Sequence, residues 1–128
     1  MTNQLHTINH SASLREADLL FYKYHIRHLP VVDEGKLIGM LSLTDLQRVS
    51  FVSYFSEEER NISAAIYDML TINQIMVRNV KTVAPDDKIS DAAKVLVKEG
   101  FHALPVVEGE QLIGIVTSTD LIKLLIED

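Results

Sequence analysis

Residues 25–46 of this 128-residue chain, HIRHLPVVDEGKLIGMLSLTDL, return 75 positions later as GFHALPVVEGEQLIGIVTSTDL without a gap. Ten of the 22 columns are identical: Leu29–Val32 with Leu104–Val107, Leu37–Gly39 with Leu112–Gly114, and Thr44–Leu46 with Thr119–Leu121. The same offset pairs Thr7 with Thr82, Leu14 with Ile89, Ala17 with Ala92, Lys23 with Lys98 and Met1 with Met76. A self-match at fixed period means that the unit buries its core against its own copy. Each copy is about 50 residues, a size that removes too little apolar surface from water to be stable alone. The expected organisation is a first repeat over 1–50, connecting helices over 51–71 and a second repeat over 72–128.

Within the first copy, Leu5–Ile8 is a short apolar run stopped by Asn-His-Ser, a brief strand and a turn. Ser13-Leu-Arg-Glu16 has the form of a capping box, and Leu14, Ala17, Leu20, Phe21 and Tyr24 follow at helical spacing, so 14–24 is predicted helical. Pro30 excludes continuation, and Leu29–Asp33 and Lys36–Leu43 read as a hairpin around Glu34-Gly35. Thr44-Asp45 can cap a helix starting at Leu46. The second copy repeats this with a strand at Val80–Ala84, a turn at Pro85-Asp86-Asp87, a helix over 89–98, a hairpin of Leu104–Glu108 and Gln111–Thr117, and a helix over Asp120–Glu127. Each copy is thus β-α-β-β-α, and the fold class is α+β. Between them, Phe51, Tyr54, Phe55, Ile62, Ala65, Ile66, Met69 and Leu70 suggest two helices broken near Ser56, with Glu57–Glu59 as a solvated first turn.

Several functions are disfavoured at once. A net charge of −6 without a Lys/Arg cluster argues against a nucleic-acid footprint. No apolar run approaches the length of a membrane span, the start has no signal-peptide core, and a chain with no cysteine has no disulfide framework or thiolate metal site, which fits a cytoplasmic address. There is no Gly-rich phosphate loop, HExxH or GxSxG. Of the five histidines, His6, His10, His25, His28 and His102, His6 and His10 are four apart but in a stretch read as strand and turn rather than helix, which disfavours a metal site. His25 and His28 flank a strand start, where they cap a turn or reach a ligand. Catalysis is not expected.

What recurs is a polar ending on an apolar strand, Gly39-Met-Leu-Ser42-Leu-Thr44-Asp45 and Gly114-Ile-Val-Thr117-Ser-Thr119-Asp120. The strand delivers a hydroxyl near a helix N-terminus, and the aspartate can accept from two hydroxyls at once. A ribose carrying a phosphate needs both features. The competing interpretation is that these residues only cap helices, since a repeated fold repeats its caps too.

The combined pattern closely resembles the CBS (cystathionine β-synthase) domain: Leu-Pro-Val-Val-Asp/Glu, a turn, Leu-Ile-Gly, then Ser/Thr-x-x-Asp-Leu, with Thr-Val-Ala-Pro-Asp upstream in the second copy. Two in tandem resemble a CBS pair, or Bateman module, over nearly the whole chain except the middle helices. The resemblance implies two pseudo-symmetric repeats packed through their small sheets, with two clefts where family members bind adenine nucleotides or S-adenosylmethionine. It puts Asp45 and Asp120 on ribose hydroxyls, Ser42 and Thr117 on ribose or phosphate beside Thr44 and Thr119, and Met40 and Ile115 on adenine. Arg27 with His28, and His102, would reach phosphates. Thr7 with Ile8, and Thr82 with Val83, would complete adenine pockets from the opposite copy's first strand. The first copy begins at Met1, the counterpart of Met76, so its lead-in segment is missing and the pocket beside Thr7 is expected to lack it.

The copies differ where charge matters, Arg27-His28 against His102-Ala103. Arginine keeps its charge and grips phosphate with two donors, whereas a histidine is mostly neutral near pH 7. The Asp45 site is therefore expected to prefer a multiply phosphorylated nucleotide, and the Asp120 site a less charged adenosine compound. The expectation is a non-enzymatic regulatory module for AMP, ADP, ATP or S-adenosylmethionine, homodimeric and attached to or associated with an effector domain. The alternative is a dimerisation or scaffold module with no bound nucleotide.

Overall fold

The structure is a computed structural model and describes residues 5–49, 68–100 and 102–127. The helices expected over 51–67 lie outside the described residues. Five strands form one sheet in the order β1-β2-β3-β5-β4: β1 (Ile8–Asn9), β2 (His28–Asp33), β3 (Lys36–Ser42), β4 (Ala103–Glu108) and β5 (Gln111–Thr117). Five described helices accompany them: α1 (Leu14–Tyr24), α2 (Leu43–Arg48), α3 (Ile72–Ile75), α4 (Ile89–Glu99) and α5 (Ser118–Glu127). The fold class is α+β, two pseudo-symmetric repeats packed as a pair.

The hairpins are copies down to their register. His28 pairs with Ser42 as Ala103 pairs with Thr117, and Val31 with Gly39 as Val106 with Gly114; both ladders then shift by one residue before the turn. That shift leaves Ile38 and Ile113 as the extra residues of matching bulges, which bend the strands. Alternation along β3 and β5 divides the core. Leu41 and Val116 point to their own repeat's helices, while Met40 and Ile115 point to the other repeat. Strands covered on both faces read as unbroken apolar runs, which is why Leu29–Val32 shows no alternation in sequence.

In the first repeat, Ile8, Leu14, Ala17, Phe21, Leu29, Val31, Leu41 and Leu46 form a buried core that also takes in Ile72 and Met76 from the lead-in of the second repeat. The second repeat packs Val83, Ala92, Leu96, Leu104, Val106 and Val116. A third cluster, Met40, Ala103 and Ile115 flanked by Leu5 and Val80, joins the two. Met40 and Ile115, and Leu5 and Val80, are pairs at the repeat offset, so this cluster carries the pseudo-two-fold relation.

The sheets of the repeats meet narrowly. β3 and β5 pair only at Lys36–Gln111, where the Leu37 and Leu112 amides donate to the Glu110 and Gly35 carbonyls at 3.2 Å. Further along β3, Met40 and Val77 exchange backbone hydrogen bonds of 3.0 and 2.9 Å. The close pass requires Gly39: a Cβ there would stand 2.6 Å from the Met76 Sδ and 2.9 Å from the Val77 carbonyl.

The first strand, expected over Leu5–Ile8, is confined to Ile8–Asn9, and three further boundaries differ more. The helix after β3 starts at Leu43, not Leu46, because the Ser42 hydroxyl accepts from the Asp45 amide and Ser42, not Thr44-Asp45, is the N-cap. Its counterpart begins at Ser118 for the same reason, with Thr117 Oγ1 accepting from the Asp120 amide. The strand expected at Val80–Ala84 contracts to a single bridge at Val83, which donates to Pro105 O and accepts from the Val107 amide. Just past it, the Asp87 carboxylate accepts from the Ala84 amide at 2.8 Å, and the chain turns before a ladder can extend.

Candidate functional site

The two hairpins share a ladder pair only near their turns and pack through Met40, Ala103 and Ile115 further along, so their far ends are not hydrogen-bonded to each other. Those ends carry the Ser/Thr-x-x-Asp motifs, and the space between them is an open cavity of about 560 Å³. From the first repeat it is lined by Arg27, His28, Ser42 and Thr44, and from the second by His102, Ile115, Thr117 and Thr119. Eight residues singled out from the sequence therefore converge. Two clefts were expected, and among the described residues both motifs open into one.

The remaining expected residues lie elsewhere. Asp45 and Asp120 sit in the first turns of α2 and α5, beside the cavity rather than lining it. Met40 is in the joining core at 8% exposure, behind the cavity. Ile8 is buried in the first repeat's core, with Thr7 just ahead of it, because β1 pairs with β2 of its own repeat. Val83 is likewise core of the second repeat. Thr82 lines a second cavity of similar size at the turn ends, with Lys36–Gly39, Asn79 and Glu110.

Sequence reasoning missed Ile26, Leu43, Gln47 and Ser118, which line the main cavity, and did not commit to His6 and His25. His25 is the C-cap of α1 in the left-handed region at φ 52°, its amide donating to Phe21 O. Gly100 has the same role in α4 at φ 71°. A non-glycine residue standing where the repeat partner has glycine was the legible signal. His6 stacks on Tyr24 with ring centroids 3.8 Å apart, a contact no spacing foretells.

Both motif hydroxyls are caps, and each retains a proton. The Ser42 oxygen accepts from the Asp45 amide at 3.1 Å and Thr117 from the Asp120 amide at 3.0 Å, leaving the O–H of each able to donate into the cavity. The two carboxylates are held differently. Asp45 accepts from Arg48 Nη1 at 3.3 Å, a contact on an exposed arginine that is weak in water. Asp120 accepts from the Thr117 amide at 2.9 Å, closing a reciprocal box around the helix start. His28 titrates below the ordinary histidine range: burial is the main cause, then the nearby His102 and Arg27, while Asp45 pulls the other way. Among the described residues no three His, Asp or Glu side chains are placed to hold a metal ion, and no helix is long and apolar enough to cross a membrane.

The sequence pattern of the CBS domain matches residues 1–51 and 72–127, and the chain belongs to that family as a CBS pair. It is 34% identical over 93% of its length to the uncharacterized protein MJ1232 of Methanocaldococcus jannaschii. The chain spans 36% of the length of MJ1232, and 42% and 21% of two further relatives from that organism. Among solved structures it is similar to the CBS domain pair of MJ0100, in complex with 5-methylthioadenosine and S-adenosyl-L-methionine (TM-score 0.79, 30% identity, covering 99% of this chain and 92% of that one). It is also similar to CBSX2 in complex with AMP (TM-score 0.80, 27% identity, covering 97% and 89%).

Proposed function

We propose that the chain is a regulatory binding module that holds an adenosine ligand, AMP, ADP, ATP or S-adenosylmethionine, in the cavity between its two repeats. The observation that carries this is the convergence of Arg27, His28 and His102 with the O–H groups of Ser42 and Thr117 on one space. Its volume falls within the range of small-molecule pockets, about 300–1,000 Å³. Two similar CBS pairs are in complex with adenosine compounds. Asp45, held among the described residues by an exposed arginine, is the readier ribose acceptor; Asp120 would have to share its carboxylate with the Thr117 amide. Arg27 and His28 favour a polyphosphate on the Asp45 side, and the second repeat suits a less charged compound. Occupation would favour one arrangement of the repeats over another, and so signal to a partner or attached domain through a difference in affinity. The role is binding rather than catalysis, in the cytoplasm.

The test is calorimetric titration with ATP, AMP and S-adenosylmethionine. Arg27→Ala should weaken ATP about tenfold, the loss of one charge-assisted phosphate contact, and leave S-adenosylmethionine nearly unchanged. Equal ATP affinity in the variant would overturn the assignment of Arg27. No binding by any of the three compounds would favour a second reading, a dimerisation scaffold. One observation supports that reading: α5 has no buried residue and exposes Ile122, Leu125 and Ile126 at 56%, 78% and 76%. Homodimerisation through that face is compatible with either reading, and sedimentation of Leu125→Glu against wild type tests it.

A further inference from the structure

Four of the chain's five histidines, His6, His25, His28 and His102, line the cavity with Arg27, and none of its described lining residues is Asp or Glu. They come from separate elements: His6 ahead of β1, His25 at the end of α1, His28 opening β2 and His102 just before β4. The carboxylates nearby are Asp45 on α2, shared with Arg48, and Asp120 on α5, engaged by the Thr117 amide. From α1, Tyr24 stacks on His6 and carries the Lys23 ammonium 5.2 Å over its ring. At alkaline pH the described lining residues thus carry one fixed charge, Arg27, and they gain charge as imidazoles protonate.

We propose that the cavity takes up protons as it takes up an anion: His28 and His102 hold a phosphate-bearing ligand as imidazolium groups beside Arg27. Binding of a polyphosphate nucleotide then tightens as pH falls, and binding of uncharged adenosine does not. This rests on the nucleotide reading above and adds its regulation. Without a ligand, burial first, then the neighbouring His102 and Arg27, lower the His28 pKa. An anion reverses the balance, because an opposite charge within a few ångströms favours the protonated form. The site thereby couples two signals, nucleotide and proton. His25 is already engaged as a helix cap, and His6 is stacked on Tyr24, so neither is assigned this role.

The experiment is calorimetry of the full chain with ATP at about pH 7.5, where the phosphates are essentially ionised, in two buffers of different ionisation enthalpy. Wild type should draw about one proton from the buffer per ATP bound, and bind about tenfold more tightly near pH 7 than near pH 8. His28→Ala installs the residue the second repeat carries, and His102→Arg the residue the first repeat carries, so both are sizes the fold already holds. His102→Arg should keep ATP binding while lowering the proton uptake and flattening the pH profile, an outcome that a merely structural histidine would not produce. ATP binding with no proton uptake and a flat profile would overturn the inference and leave the nucleotide reading standing. A profile as steep for adenosine as for ATP would overturn it too. No ATP binding at any pH would remove the reading on which it rests, and the inference with it.

Discussion

The two repeats share their hairpin register residue for residue, yet differ in the charged and titratable groups that line the cavity. Leu29–Val32 and Leu104–Val107 are identical and sit in equivalent places, because strands covered on both sides tolerate little change in volume. Position 27 or 102 is arginine in one repeat and histidine in the other; position 28 or 103 is histidine or alanine. Ala103 belongs to the core that joins the repeats, whereas His28 lines the cavity. Even the shared aspartates diverge, Asp45 lying on Arg48 and Asp120 closing a capping box. Duplication built the scaffold twice. In the core the two copies exchange one apolar residue for another, as at Met40/Ile115 and Leu41/Val116, whereas beside the cavity the exchange at Arg27/His102 changes charge.

That equivalence can be broken most severely in the cores. Leu29 and Leu104 are both wholly buried, so Leu29→Ala and Leu104→Ala should each cost about 3 kcal/mol, measured by urea unfolding. A difference of more than about 1 kcal/mol between them would mean the repeats are not energetic equals. Next is the seam between repeats. Gly39→Val drives a side chain into Met76 and the Val77 carbonyl and should cost about 2 kcal/mol, as overpacking does.

A smaller effect separates the helix ends. Gly100 faces open space, so Gly100→Ala meets only the backbone cost of a left-handed residue, about 1 kcal/mol. His25→Gly should recover a similar amount in the first repeat, and thermal unfolding would show opposite shifts. The smallest effect is in pH. Below about pH 6.5 the unfolded chain protonates His28 more readily than the folded one, so the stability its neutral form contributes is present above that pH and lost as pH falls toward the lowered folded value. Thermal unfolding between about pH 7.5 and 5.5 should fall more steeply for wild type than for His28→Ala, and parallel slopes would exclude that role. A bound polyanion should reverse the sign.

Much of the fold was legible because repetition supplied its own control. The 75-residue offset, the hairpins around Glu34-Gly35 and Gly109-Glu110, and the helices expected at 14–24 and 89–98, the latter running on to Glu99, followed from period and turn chemistry. Helix starts were misplaced by two or three residues, because Ser42, Thr44 and Asp45 can all cap and only geometry selects the hydroxyl that reaches an amide. The strand at Val80–Ala84 looked sound by composition, yet strand length depends on a partner edge, which composition does not contain.

The site divides along the same line. The sequence by itself determined the tandem CBS pair, the pairing of Arg27 with His102 and of His28 with Ala103, and the two hydroxyl–aspartate endings, since these rest on local pattern and on self-comparison. Only the tertiary structure decided that both endings open into one cavity, that Met40 lies behind it, and that four histidines from separate elements surround it. Those facts depend on how two hairpins diverge from a single ladder pair at Lys36–Gln111, a relation between segments 75 residues apart that no local spacing encodes.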